Sequence, residues 1–408
     1  MASKIYKTTA APLLLAALVI TATPARSQQA KFETIMGQPS WKLLSSSVKA
    51  YVTETGGHLG PVIFDWRGRK LSPYQVAPWA EEDIAENTPS IIKVLRGDFF
   101  CMPFGENRRP YNGEQHPMHG ETANSTWNYI DLLKEGPNIT LHLRMSPTVR
   151  AGRIDKMISV VHGHQAIYSR HIISGMAGPM NYGHHATLRF PDLPESGRLT
   201  TSGFSIGQVA PRKIAGDDTR DRHALKPGAR FKSMRKVPML LGGRTDIRSF
   251  PARPGYDDMA ILVTEDAAPF AWTAVTFPDE RYVWFALKDP AILRYTLLWF
   301  SNGGRSYPPW NGRHVNVMGI EDVTSYFHYG LAASVSSNDL SRTHATHVDL
   351  NPANPLVVNY IMAAHAVPRG FDRVKSIEPG DKRSTVVVTA RSGKSFTMKL
   401  DHRFLTRG

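Results

Sequence analysis

Apolar runs of strand length, separated by turn residues, recur along most of this sequence and constrain its fold more than any other feature. Such runs occupy residues 48–53, 62–66, 139–145, 157–161, 166–173, 260–264, 271–277 and 282–287. In Ile139-Thr140-Leu141-His142-Leu143-Arg144-Met145 apolar and polar residues alternate with period two, the pattern of a strand with one buried face. Near the C-terminus, runs at 385–390 and 395–400 flank Arg391-Ser392-Gly393-Lys394, which predicts a hairpin. Helical periodicity is scarce. Short helices are expected only near 80–87 and 356–364, while Asn351-Pro352 and Asn354-Pro355 favour turns. The polar, basic stretch 210–238 is punctuated by Gly and Pro and reads as a long loop or an inserted excursion. Many strands without alternating helices argue against a parallel α/β architecture. Two large packed antiparallel sheets, an all-β fold, are the expected solution.

With 408 residues and 41% hydrophobic content, the chain can bury a large core, and residues 28–408 are expected to form a single domain. The first 27 residues are of another kind. Lys4 and Lys7 precede an apolar run over 10–22, and Ala25 and Ser27 stand at the −3 and −1 positions of a cleavage site. This predicts a secretory signal peptide and an exported protein, periplasmic or extracellular. The run is too short for a comfortable bilayer span, so no stable membrane insertion is expected after cleavage. Losing Lys4, Lys7 and Arg26 lowers the formal charge from +14 to +11. The remaining excess could attract acidic polysaccharide, nucleic acid or an anionic membrane face. The charges are scattered and no nucleic-acid-binding motif is present, so no nucleic-acid partner is expected. Cys101 is the only cysteine. It lies in the apolar run Phe99-Phe100-Cys101-Met102 and reads as a buried, inert thiol.

Four stretches carry chemistry-bearing side chains. They are Gly105-Glu106-Asn107-Arg108-Arg109 with the following Gln115-His116-Pro117-Met118-His119-Gly120, then Gly183-His184-His185, Gly255-Tyr256-Asp257-Asp258, and Gly319-Ile320-Glu321-Asp322. Together they supply Arg, His, Asp and Glu. This set suits a polyhydroxylated substrate, because carboxylates and imidazoles exchange protons near neutral pH and Arg can hold a hydroxyl or a developing oxyanion. The loop Tyr307-Pro308-Pro309-Trp310-Asn311-Gly312-Arg313-His314 adds an aromatic ring, Trp310, expected to be exposed and able to stack on a sugar face. Trp299 and Phe300 read as core. Gly203-Phe204-Ser205-Ile206-Gly207 matches the nucleophile-elbow pattern, but Pro211 and basic loop sequence follow instead of a helix, so the match reads as chance. His162-Gly163-His164 and His344-Ala345-Thr346-His347 lack a ligand framework, and no metal or other cofactor is called for.

The order and context of these motifs resemble the aldose 1-epimerase (galactose mutarotase) family. Asn107-Arg108, Met118-His119-Gly120, His184-His185, Gly255-Tyr256-Asp257 and Gly319-Ile320-Glu321 follow one another as in that family, after a glycine-rich start at Gly56-Gly57-His58-Leu59-Gly60. The resemblance covers roughly residues 45–335. It implies a galactose mutarotase-like β-supersandwich and acid/base chemistry at the anomeric carbon of a sugar. In the roles it implies, Glu321 takes the proton from the anomeric hydroxyl, His185 protonates the ring oxygen, and His119 holds the substrate and stabilises charge. Arg108 and Asp257 bind ring hydroxyls, with His184 and Trp310 as further binding candidates. Glu321 and His185 are then expected to face each other across a sugar-sized space. The chain departs from the family pattern in Ala186-Thr187-Leu188 after His185 and in Asp322-Val323-Thr324 after Glu321. A lyase or other carbohydrate-processing enzyme on the same scaffold, or a carbohydrate-binding protein without turnover, therefore stays open. The partner in each case is a sugar or oligosaccharide, and the basic charge suits an acidic one.

Overall fold

The computed structural model describes residues 1–2, 26–212 and 222–407. The apolar run of the expected signal peptide lies outside the described residues, as does 213–221 of the basic loop. The architecture is all-β. One sheet has ten strands, in the order Arg26–Gln28, Asn128–Glu135, Asn138–Met145, Arg153–Val161, Ala166–Ser174, Leu356–Ala366, Tyr282–Lys288, Ala271–Phe277, Gly197–Thr201 and Ser249–Phe250. The second has eight. Arg230–Phe231, Phe204–Val209, Tyr256–Thr264, Tyr295–Asn302, Val317–Thr324, Tyr182–His184 and Phe100–Cys101 follow in order, and Ala186–Arg189 also pairs with Val317–Thr324. Neighbouring strands are antiparallel, as the pairings of Tyr295–Asn302 with Tyr256–Thr264 and Val317–Thr324 illustrate.

Side-chain parity explains which sequence patterns appear where. In Asn138–Met145 the buried residues are Ile139, Leu141, Leu143 and Met145, so the alternation seen in the sequence is one face turned to the core. In Tyr282–Lys288 every residue is buried. Trp284 and Ala286 pack into the core between the sheets, whereas Val283, Phe285 and Leu287 pack against Val374, Ile377, Val386, Val388 and Met398 of a C-terminal three-stranded sheet. Burial on both faces is why that segment reads as a continuous apolar run. The eight-stranded sheet is covered in the same way. Leu298, Phe300, Met318 and Ile320 face the ten-stranded sheet, while Met259, Leu297, Trp299 and Val323 face a layer of loops that brings Trp79, Ile91, Phe99, Phe104 and Trp310. This outer layer holds the candidate site.

Two helix expectations fail. Residues 356–364 lie in an eleven-residue strand, Leu356–Ala366, between Ala166–Ser174 and Tyr282–Lys288. Its Val357, Val358 and Ile361 favour the pleated backbone, and a run without a polar face suits a central strand better than a surface helix. Residues 80–87, with Glu81, Glu82, Asp83 and Glu86 crowded together, form turns; the helix begins only after Pro89, at Ser90–Lys93. The 385–390 and 395–400 hairpin forms as expected, as Thr385–Ala390 paired with Ser395–Lys399. Cys101 is buried and free, and burial pushes its thiol well above the ordinary range. Ser205 lies inside strand Phe204–Val209, which a bend follows at 211–212, so no nucleophile elbow exists there.

Candidate active site

Period two along two neighbouring strands sets the floor of the site. On Val317–Thr324, Glu321 points into the loop-covered face, while Asp322 points between the sheets and is held there by Lys288 at 2.6 Å, Thr296 and Tyr360. On the adjacent strand Trp299 shares the face of Glu321. Gly319 makes the carboxyl's position possible: a Cβ there would lie 2.7 Å from Glu321 Oε1 and 3.1 Å from the Trp299 Cβ. His185 sits in the break between Tyr182–His184 and Ala186–Arg189, with its amide donating to the Phe99 carbonyl. Its ring stacks on Phe99 at 4.5 Å, and its Nε2 lies 3.3 Å from Glu321 Oε1. The contact is at ion-pair distance but is not aligned as a hydrogen bond, and both Glu321 oxygens lack a hydrogen-bond partner among the described residues.

His119 completes the floor. It and Gly120 adopt positive φ (59° and 75°), which turns the imidazole in against Phe104 and His185. Its Nδ1 accepts the Gly105 amide at 3.3 Å, so a neutral ring carries its proton on Nε2. The loop is pinned by buried Asn107, whose side-chain nitrogen donates to the carbonyls of Pro103, Gly105 and Pro117. Arg108 stands at the rim, paired with Glu106 at 2.9 Å; His328 approaches the same carboxylate at 3.5 Å.

These residues line a cleft of about 430 Å³ with Ile91, Leu95, Met118, Trp299, Arg305, Tyr307 and Trp310. This is within the usual range of small-ligand sites, roughly 300–1,000 Å³. Burial controls the charge states. It pushes Glu321 well above the ordinary carboxylate range, His185 down to about 3, and His119 well below its ordinary value. Burial thus favours the neutral form of the carboxyl and of both imidazoles.

The structure brings together Glu321, His185, His119, Arg108 and Trp310, and it corrects several expectations. His184 does not line the cleft. It is the last residue of its strand and turns between the sheets, where it stacks on Tyr360 at 4.3 Å and pairs with Asp98 at 2.9 Å. Asp257 does not line it either. Its carboxylate is enclosed by Trp299 Nε1, Ser301 Oγ and the amides of Asn302 and Gly304, and it anchors Arg305 at 3.1 Å. Burial raises Asp257 to about 6 against the lowering effect of these partners. Glu321 and His185 stand side by side instead of facing each other across the width of a sugar. Trp310 is buried, not exposed, and packs over Arg305 at 4.3 Å; Trp299, expected to be core only, is also a wall of the cleft. Arg305 itself went unnoticed in the sequence. Its signal was Gly303-Gly304-Arg305 directly after strand Tyr295–Asn302, where a Cβ on Gly304 would collide with the Asp257 backbone.

No family model and no curated protein sequence matches the chain. Solved structures do. A galactose mutarotase related enzyme from Lactobacillus acidophilus superposes with a TM-score of 0.54 at 12% identity, over 80% of this chain and 97% of that one. A galactose mutarotase-like protein from Clostridium acetobutylicum gives 0.54 at 12% identity, over 83% and 99%. Another from Lactobacillus casei gives 0.52 at 11% identity, over 80% and 100%. This chain has the galactose mutarotase-like fold. At such identity the likeness concerns the fold. The galactose mutarotase-like sandwich here buries Glu321, His185 and His119 on the loop-covered face of the eight-stranded sheet.

Proposed function

We propose that the chain catalyses acid/base chemistry at the anomeric carbon of a sugar, in the manner of an aldose 1-epimerase. One observation carries the reading. A buried carboxyl, Glu321, with no hydrogen bond of its own among the described residues, lies 3.3 Å from His185 on the floor of a cleft of ligand size. Buried polar groups are rarely left unpaired, and an orphan on a cleft floor suits a ligand hydroxyl. Ring opening needs a proton taken from the anomeric hydroxyl and one given to the ring oxygen, and both oxygens are borne by the same carbon. An adjacent Glu/His pair can serve them from one side. Glu321 removes the hydroxyl proton once its own has passed to His185, and His185 then protonates the ring oxygen. The imidazole Nε2–H of His119 steadies the developing charge. Arg108 and Arg305 hold hydroxyls, and the faces of Trp299 and Trp310 flank the ring. The galactose mutarotase-like neighbours agree with this reading. Residues 1–27, as an export signal, would place the activity outside the cytoplasm.

The test is the rate at which freshly dissolved α-glucose and α-galactose reach anomeric equilibrium, followed by NMR. The wild type accelerates it. Glu321→Gln lowers the acceleration by at least about a hundredfold, the usual scale of one acid/base group, with an unchanged circular dichroism spectrum. Equal rates for the two proteins would remove Glu321 from the chemistry. A sugar-dependent rise in Tm without any acceleration would identify a binding protein instead.

A further inference from the structure

The excursion between strands Phe204–Val209 and Tyr256–Thr264 carries a surface that the sugar cleft does not use. Residues 210–253 hold 12 Lys and Arg against 4 Asp and Glu, an excess of eight in a chain of net +14. Within it Val237 pairs with Thr245 and Pro238 with Arg244, so residues 239–243 form a hairpin tip. The base is firm. Met234, Val237 and Ile247 are buried, and the Leu240 amide donates to the Ala224 carbonyl at 2.9 Å. The tip is not buried: Leu241 is 95% and Leu240 52% exposed, and after Met1 they are the most exposed large apolar side chains among the described residues. Arg235, Lys236 and Arg244 are exposed at the foot of the hairpin. Beside it runs an apolar groove of about 450 Å³ formed by Met239, Leu240, Leu241, Pro254 and Tyr256, with Arg222 and Arg253 at its edges. The neighbouring described acids are already engaged. Asp246 is held by Arg248, and Asp258 accepts the amides of Ala224 and Leu225.

An exposed leucine pair ringed by cations has two demands on a partner. A hydroxyl-rich acidic polysaccharide meets the charge but not the leucines. A second copy of the chain meets the leucines but brings the same positive charge. An anionic bilayer surface meets both, with acyl chains below and negative headgroups around. We propose that the 235–244 hairpin is an interfacial anchor that docks this protein reversibly on an anionic phospholipid surface. The docked edge adjoins the sugar cleft, because the Arg222 amide donates to Gly304 and the Arg222 carbonyl accepts from Asp257, next to Arg305.

The test places a reporter on the tip of the full chain. Cys101 is fully buried, so Leu241→Cys supplies the one accessible thiol for an environment-sensitive fluorophore. Phosphatidylglycerol vesicles should shift its emission to the blue and pure phosphatidylcholine vesicles should not. Changing Arg235, Lys236 and Arg244 together to Ser should weaken the apparent affinity at least about tenfold. Unchanged emission with phosphatidylglycerol vesicles overturns the proposal, even if the protein sediments with them through another segment. An equal shift with polygalacturonate in the absence of lipid overturns it in favour of an acidic polysaccharide. A shift that grows with protein concentration alone overturns it in favour of self-association.

Discussion

At the scale of single residues, adjacent side chains with the same chemistry were given opposite fates. His184 and His185 are neighbours, yet one is a fully buried partner of Asp98 and the other touches Glu321. The two are separable by experiment. His184→Ala should cost about 2–4 kcal/mol in urea unfolding, because it opens a cavity and strips Asp98 of a buried partner. The sugar affinity of the folded fraction should not change. A large loss of affinity at full stability would return His184 to the site. Asp257 makes the complementary case. It acts through Arg305, so Asp257→Asn should raise KM about tenfold, the scale of one charge-assisted hydrogen bond, while leaving kcat largely intact. An unchanged KM would remove the Asp257–Arg305 pair from substrate binding. The sequence showed Asp257 as a site candidate, but not that its oxygens were already spent on Trp299, Ser301 and two backbone amides.

At the scale of elements, the decisive object is strand Val317–Thr324. Its parity sends Glu321 to the cleft and Asp322 to Lys288, and its Gly319 clears the space that the Glu321 carboxyl occupies. Gly319→Ala should therefore do two things together. It should cost about 1–3 kcal/mol through overpacking against Trp299, and it should depress anomer interconversion by displacing Glu321. A stable and fully active variant would show that the carboxyl does not need that space. Strands were the most legible elements, since 48–53 and 271–277 match Val48–Thr53 and Ala271–Phe277 residue for residue. Leu356–Ala366 was misread because Ala363 and Ala364 are good helix formers. Its central place between two other strands overrides that local preference.

At the scale of the whole molecule, burial of neutral histidines makes stability depend on pH. His58, His185 and His314 are each pushed down to about 3 by burial, from an ordinary value of 6.5. A depressed pKa of this kind gives stability that is complete above 6.5 and is lost as pH falls through the folded value. Asp257, raised from 3.8 to about 6, works in the opposite sense, and its contribution fades as pH rises through 6. Glu321 and Asp258, also raised by burial, side with Asp257, while His119 and His171, also pushed down, side with the three histidines, so the lowered imidazoles outnumber the raised carboxyls. Tm should therefore fall progressively between about pH 6.5 and pH 3, and a triple variant with neutral replacements at the three histidines should show a shallower fall. A Tm that stays flat across that window would mean that these imidazoles are not buried in their neutral form.

The sequence by itself determined the class of fold and most strand positions. Strand periodicity and turn chemistry are local properties, written within eight or ten residues. It also offered Glu321, His185, His119 and Arg108 as candidates, because the stretches that hold them are local and their order resembles that of the aldose 1-epimerase family. Only the tertiary structure decided which of two adjacent histidines meets the cleft, that Glu321 and His185 touch, and that Arg305 stands where Asp257 was expected. These outcomes depend on register between strands far apart in the chain. A one-residue shift in that register would exchange the two faces of a sheet and send Glu321 into the core and Asp322 into the cleft.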